Sequence, residues 1–298
     1  MSGNQDLGQI LITGAAGQLG RELAPVLEGR GYQVLAATRQ VLDVAALDQL
    51  PDKLLALRPA WVVNCAAYTR VDEAETEPAR ALRINRDAVG RLAQIVASYG
   101  GRLLHLSTDY VFDGRHWRPY REDDRANPLS VYGYSKWEGE ELVRQHHPAT
   151  TIVRTAWVYG AYGHNFVKTI LRLAAEQEHL QVVDDQVGTP TWTGSLSRAL
   201  ADLIARRAGG TFHYTDEGVA SWYDLAVATV EEARRLGFPL KVRRIEPVST
   251  EQLIRPAKRP PYSLLSKHKI RPLLHFPIPH WRESLSTMLL DLKQCGGY

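Results

Sequence analysis

Short apolar runs alternate with stretches whose apolar residues recur every third or fourth position through the first half of the chain. Residues 9–13, 32–38, 61–67, 102–107 and 151–157 are such runs, which predicts strands covered on both faces. Residues 21–28, 79–99 and 132–146 carry helical spacing between them. Strands and helices in this alternation predict an α/β fold built on a Rossmann-like, doubly wound parallel sheet. Past residue 157 the alternation loosens. Helices are expected over 165–178, 194–207, 221–236 and 280–293, with Ser221 as a cap, and strands over 180–184 and 211–214, the second joining the sheet. The proline-rich stretch 256–279 reads as loop.

Composition narrows the class. With 298 residues, 44% hydrophobic and 23% charged, the chain has enough apolar material for a sizeable core. No apolar run approaches the roughly 18 residues of a membrane span, and the polar start of the chain is unlike a signal sequence. A cytoplasmic protein with no membrane partner is expected. Cys65 and Cys295 are the only cysteines, far apart and without metal or redox spacing, which suits a reducing compartment. The formal charge is +3, but residues 241–275 hold nine Lys or Arg against Glu246 and Glu251. That excess suits an anionic small molecule or a solvated surface. No nucleic-acid partner is expected, because Arg255-Pro256-Ala257-Lys258-Arg259 lies in a short rigid stretch without a helix or an aromatic platform.

Gly14, Gly17 and Gly20 fall where the first expected strand meets the first expected helix. Glycines there let the backbone approach a pyrophosphate, and the helix N-terminus favours its negative charge. Gln18 and Leu19 belong to the same turn, whose spacing is G-x-x-G-x-x-G rather than G-x-G-x-x-G. The second strand ends in Thr38-Arg39, where an acid would accept the ribose hydroxyls of NAD. A cation suits a 2′-phosphate and favours NADPH, with NADH still open and a plain surface role for Arg39 the alternative. By position, Asp43 and Val44 reach the adenine edge, and Ala66, Ala67 and Tyr68 line the cofactor. A dinucleotide-binding domain over 1–160, returning near 193–236, and a smaller, discontinuous, interwoven substrate domain drawn mainly from 161–298 follow from these positions.

Tyr132 and Lys136, the single Tyr-x-x-x-Lys pair of the chain, share one face of an expected helix, about 5–6 Å apart. An ammonium beside the phenol favours the phenolate. Free tyrosine, with a pKa of about 10, is otherwise a poor acid-base group at neutral pH. Thr108, at the end of the preceding strand, supplies a hydroxyl for the same substrate oxygen. Acid, tuner and orienter in this order, after the glycine turn, point to a nicotinamide-dependent carbonyl reductase; an ordinary surface helix is the plain alternative.

Other segments carry a resemblance: Asn64-Cys65-Ala66-Ala67-Tyr68-Thr69, Val71-Asp72-Glu73-Ala74-Glu75, Ser107-Thr108-Asp109-Tyr110-Val111-Phe112-Asp113-Gly114, Arg154-Thr155-Ala156-Trp157-Val158-Tyr159-Gly160, Asn165-Phe166, Asp185-Gln186-Val187-Gly188-Thr189-Pro190-Thr191 and Arg259-Pro260. With the glycine turn and Tyr132-Gly133-Tyr134-Ser135-Lys136, the chain resembles the extended short-chain dehydrogenase/reductase superfamily, and more closely the dTDP-4-dehydrorhamnose reductases. The resemblance runs from the glycine turn almost to the end. It implies Tyr132 as proton donor, Lys136 as its tuner and ribose anchor, and Thr108 as the hydroxyl that polarises a carbonyl. It places Asp109 and Trp157 on a deoxyhexose and Thr69 near the nicotinamide. Asn165, Lys168, Gln186 and Arg259 are weaker candidates for a nucleotide diphosphate, and Trp157 has a plain core reading as well.

Some members of the family hold Mg²⁺ with glutamates at a dimer contact. Here the corresponding region reads Trp192-Thr193-Gly194-Ser195 and lacks the acid, though Asp291 remains. No metal site is expected, and both a monomer and a homodimer stay open. Two other functions share these residues: a nucleotide-sugar epimerase or dehydratase that recycles a tightly held NAD, and a non-catalytic regulatory subunit that binds a dinucleotide.

Overall fold

In the computed structural model, which describes residues 8–294, six parallel strands form the central sheet. They are β1 (Gln9–Thr13), β2 (Gln33–Ala37), β3 (Trp61–Asn64), β4 (Arg102–Thr108), β5 (Thr151–Thr155) and the strand Gly210–His213. The last joins the edge beside β5, and the order across the sheet is Gly210–His213, β5, β4, β3, β1, β2. The chain therefore steps from β1 outward to β2 and then back past β1 to β3. Between β1 and β3 the strand order reverses, and a crevice opens at the carboxyl ends of such strands.

Alternate residues of each strand feed two different cores. Ile10, Ile12, Val63 and Leu104 pack with Leu23 and Leu27 of α1 (Gln18–Glu28) and with Leu196 and Leu200 of the helix Thr193–Ala205. Leu11, Val62 and Leu103 pack on the opposite face with Leu92 and Val96 of the helix Ala88–Ser98 and Val143 of the helix Val131–His146. This double coverage explains why the strands read as continuous apolar runs. Among the described residues, no helix is long and apolar enough to cross a membrane.

Expected elements shift mostly at their ends. The expected helix 79–99 is in fact Pro78–Leu82, a π-helical turn Arg83–Asp87 and Ala88–Ser98. The expected strand 61–67 stops at Asn64, and 151–157 stops at Thr155, because Trp157 adopts a left-handed backbone with φ 49°. The helix Leu50–Leu57 and the edge strand Arg244–Val248, parallel to His179–Val183, had no counterpart in the expected elements. Arg244, Glu246 and Pro247 mask that strand, since charge and proline are what an edge tolerates.

The π-turn matters because Asn85 sits in it, fully buried. Its Oδ1 accepts from Tyr68 N at 2.9 Å, and its Nδ2 donates to Tyr68 O and Ser135 Oγ, both at 3.0 Å. One side chain thus ties the loop after β3 to the helix that carries Tyr132. Gly139 lets that helix approach, because a Cβ there would collide with Asn85 O, a backbone atom. Gly139→Ala is expected to destabilise the fold by about 1–3 kcal/mol. Urea unfolding would read this as a lower midpoint at unchanged slope, and an unchanged midpoint would mean that the π-turn yields instead.

Candidate active site

The crevice between β1 and β3 is a cleft of about 580 Å³. Gly14, Gly17, Gln18, Leu19 and Gly20 form its floor at the start of α1; Arg39, Asp43 and Val44 flank one end, and Ala66, Ala67 and Thr69 the side. Gly14 has φ +63°, and a Cβ on it would lie 2.8 Å from Ala66 N and Cα. A Cβ on Gly20 would lie 2.6 Å from Ala15 Cα. Only glycine fits either place, and the result is a cradle of bare backbone at a helix N-terminus, as a pyrophosphate requires. Tyr68 is the exception among the expected lining residues. Its ring turns away to pack with Ala74 and Ala81, and its hydroxyl donates to Glu77 Oε2 at 3.0 Å.

Arg39 is largely exposed, and its Nε donates to Asp43 Oδ2 at 3.2 Å. Asp43 Oδ1 accepts from Ala45 N at 3.0 Å, which fixes the loop after β2. A solvated pair of this kind holds its geometry weakly and leaves the guanidinium open to an exchange of partners.

Tyr132 and Lys136 form the inner wall with Ser107 and Thr155. Ser130 caps their helix, its Oγ accepting from Gly133 N at 3.2 Å. Tyr132, Lys136 and Glu140 are successive i, i+4 positions, so they make one stripe running from the cleft into the core. The Tyr132 hydroxyl is hydrogen-bonded with Thr108, while burial pushes the phenol up to about 12. The Lys136 ammonium donates to Leu106 O at 2.6 Å and lies 3.4 Å from His105 Nε2. Burial lowers its pKa to about 8, against the pull of Glu140. Glu140 is itself held at about 2: burial alone would raise it, but Arg154 and Arg144 outweigh that. Arg154 reaches it through Nε at 2.9 Å and Nη2 at 2.7 Å.

Thr108 Oγ1 donates to Asp109 Oδ1 at 3.0 Å and accepts from Tyr110 N at 3.2 Å. Asp109 is buried, and burial pushes its carboxyl up to about 6 against the hydrogen bonds of Ser263 and Thr108. Trp157 stacks on Trp222 at 3.6 Å between ring centroids, and its φ of 49° aims the indole there. Cys65 lines the cleft, and burial pushes its thiol up to about 12, which favours the neutral thiol at neutral pH. Cys295 lies outside the described residues.

The remaining expected contacts are bonded elsewhere in the chain. Asn165 caps its helix through Lys168 N at 3.0 Å and donates to Gly160 O at 2.8 Å. Lys168 Nζ donates to Ala161 O at 3.1 Å, Gln186 donates to Thr250 Oγ1 at 3.0 Å, and Arg259 forms a two-pronged pair with Asp72 at 3.0 and 2.8 Å. Asn85, His105, Glu140 and Arg154, which support the Tyr132 helix, had no forewarning in the spacing of the chain. Asn64 and Arg154 lay within quoted motifs, but nothing in a motif says which neighbour a side chain meets.

Residues 8–294 match the family model described as the RmlD substrate binding domain. The chain belongs to the dTDP-4-dehydrorhamnose reductase family. A dTDP-4-dehydrorhamnose reductase of Streptomyces griseus is 45% identical over 96% of this chain and 94% of its own length. A dTDP-4-keto-6-deoxy-D-glucose reductase of Streptomyces niveus is 42% identical over 93% and 94%. The crystal structure of dTDP-4-dehydrorhamnose reductase from Bacillus anthracis in complex with NADP superposes with a TM-score of 0.90 at 36% identity, covering 95% of this chain and 99% of that one. Family membership accounts for the order of motifs along the chain, from the glycine turn through Thr108 and Tyr132 to Arg259.

Proposed function

We propose that the protein reduces the C4 ketone of dTDP-4-dehydro-6-deoxy-L-mannose to dTDP-L-rhamnose with NADPH, Tyr132 giving the proton. The observation that carries this reading is the meeting of the Thr108 and Tyr132 hydroxyls beside a glycine-floored cleft. When bound, NADPH supplies the hydride for the carbonyl carbon. Its phosphates fit the bare backbone of Gly14, Gly17 and Gly20, and Arg39 stands where a 2′-phosphate would exchange for Asp43. Tyr132, kept protonated by burial, holds the proton that the developing alkoxide takes. Lys136 supplies the positive charge that lowers the cost of the phenolate left behind, and Thr108 holds the carbonyl oxygen in line. Asp109 accepts a sugar hydroxyl, Trp157 contacts the deoxyhexose, and Thr69 sits by the nicotinamide. Asn165, Lys168, Gln186 and Arg259 exchange present partners for the nucleotide diphosphate, Arg259 being suited to phosphate oxygens. We assign the protein to the cytoplasm, as a monomer or a homodimer.

The test is oxidation of NADPH with that 4-keto sugar generated in place, with NADH in parallel. Rapid oxidation supports the reading; none with either nucleotide overturns it. The Streptomyces niveus relative makes dTDP-4-keto-6-deoxy-D-glucose the second sugar to try. NAD that stays bound through gel filtration would favour an epimerase or dehydratase, and a co-purifying enzyme with no reductase activity would favour a regulatory subunit. Arg39→Glu is expected to raise the KM for NADPH about tenfold while changing that for NADH less, since one charge-assisted contact is lost. Equal changes for both nucleotides would remove Arg39 from the 2′-phosphate.

A further inference from the structure

Beneath the cleft, four buried polar side chains run in a line. Thr13, Asn64 and His105 occupy one register row across β1, β3 and β4, paired Thr13 with Asn64 and Asn64 with His105. By the two-residue period of strands they face the same side as Leu11, Val62 and Leu103, the side covered by the helix of Lys136. Thr13 Oγ1 lies 2.6 Å from Asn64 Oδ1, Asn64 Nδ2 lies 3.1 Å from His105 Nδ1, and His105 Nε2 lies 3.4 Å from Lys136 Nζ. None of the four is more than 2% exposed, so water does not compete for these bonds.

A neutral imidazole has one N–H, and a primary amide presents one donor end and one acceptor end. The line therefore has two self-consistent arrangements. With Lys136 as ammonium, Nζ donates to Nε2, Nδ1–H donates to the amide oxygen of Asn64, and the amide nitrogen donates to Thr13 Oγ1. With Lys136 as amine, every bond reverses: Nε2–H donates to Nζ, Nδ1 accepts from the amide nitrogen, and the Thr13 hydroxyl donates to the amide oxygen. The same heavy-atom positions serve both, because the two ends of an amide are nearly equal in shape. The arrangements differ by one proton on Lys136.

We propose that His105 is a positioning residue for Lys136, and that its tautomer, carried through Asn64 to Thr13, switches with the proton on that lysine. In the ammonium arrangement two of the three N–H groups are taken by His105 Nε2 and Leu106 O, so the third is left for the cleft. Tyr132 lines the same cleft. The row also ends on the residue before Gly14, which ties the lysine to the strand that opens the glycine turn.

Other groups face this line from each packed element. Glu140, on the lysine's own helix, favours the ammonium; Cys65, past the end of β3, stays a neutral thiol. Arg144 bears on His105, and Arg154 of β5 is spent on Glu140. Burial holds His105 neutral, its pKa well below the ordinary value, with Lys136 acting in the same direction. The imidazole therefore changes tautomer rather than charge as Lys136 titrates.

Two experiments decide this, and the kinetic one rests on the proposed reductase reading. His105→Leu removes the acceptor, so the ammonium is less stable; the alkaline limb of kcat is expected to move down by about one pH unit, with KM for NADPH changing less. His105→Gln, whose amide can stand near Nε2, is expected to restore most of the limb. An unmoved limb in His105→Leu overturns the proposal. Nitrogen NMR of the wild-type ring, assigned by its loss in His105→Gln, is independent of folding in the leucine variant and of any substrate. A change of tautomer across the titration of Lys136 supports the switch, and a single tautomer throughout overturns it. Absence of turnover in the wild type would sink the reductase reading while leaving the NMR outcome decisive here.

Discussion

Tyr132→Phe is expected to lower kcat by about 10²–10⁴-fold, the contribution of a positioned general acid, while the affinity for NADPH stays within about twofold. The phenyl ring keeps the wall of the cleft and the packing against Tyr110, whose ring meets Tyr132 edge-on at 5.6 Å. What is lost is the hydroxyl shared with Thr108 and the proton it holds. Thr108 would still donate to Asp109, so the strand end should keep its shape. Steady-state rates with the 4-keto sugar, alongside a fluorescence titration of NADPH, separate the two effects. Turnover near the wild-type rate would assign the proton to another group, and lost NADPH binding would mean that the ring, not the acid, was the important part.

The second large effect lies deeper in the same helix. Glu140→Ala is expected to cost on the order of 3–5 kcal/mol of stability, because Arg154, 3% exposed, would keep its charge with no carboxylate beside it. Paired replacement of Glu140 and Arg154 by leucine should recover much of the loss, since no buried charge is then stranded. The pH dependence has a definite sign. Glu140 is held at about 2 in the folded chain against an ordinary value of 4.5, so its contribution is complete above about 4.5 and is lost as pH falls from there towards 2. Urea midpoints at neutral and acidic pH should converge between wild type and Glu140→Ala as the carboxyl is protonated. A constant gap would locate the stabilisation in packing rather than in charge. The variant should also draw the alkaline limb of kcat downward, because Glu140 is the charge that favours the Lys136 ammonium.

Much of this site lay within reach of spacing alone. Glycine at 14, 17 and 20 and the Tyr132–Lys136 interval are local constraints: the first needs a turn without Cβ atoms, the second one turn of helix. Periodic burial gave the sheet and most helices, since a strand covered on both faces must be apolar throughout. Trp157 was harder to read, because a tryptophan is equally at home in a core or on a ligand, and its left-handed backbone and stack on Trp222 appear only in three dimensions. Tyr68 was expected to line the cleft, yet Asn85 holds its backbone and Glu77 draws its ring away. Neither neighbour is close to it in a way that periodicity can reveal.

Local spacing thus reached the fold class, the glycine cradle and the tyrosine–lysine stripe, because each depends on residues within a few positions of one another. Only the folded chain brings Asn85 to Ser135, Arg154 to Glu140, and Thr13, Asn64 and His105 into one row under Lys136. Those partners are separated by 14 to 51 residues, and strand register, helix docking and the exclusion of water, rather than sequence interval, decide which buried donor meets which acceptor.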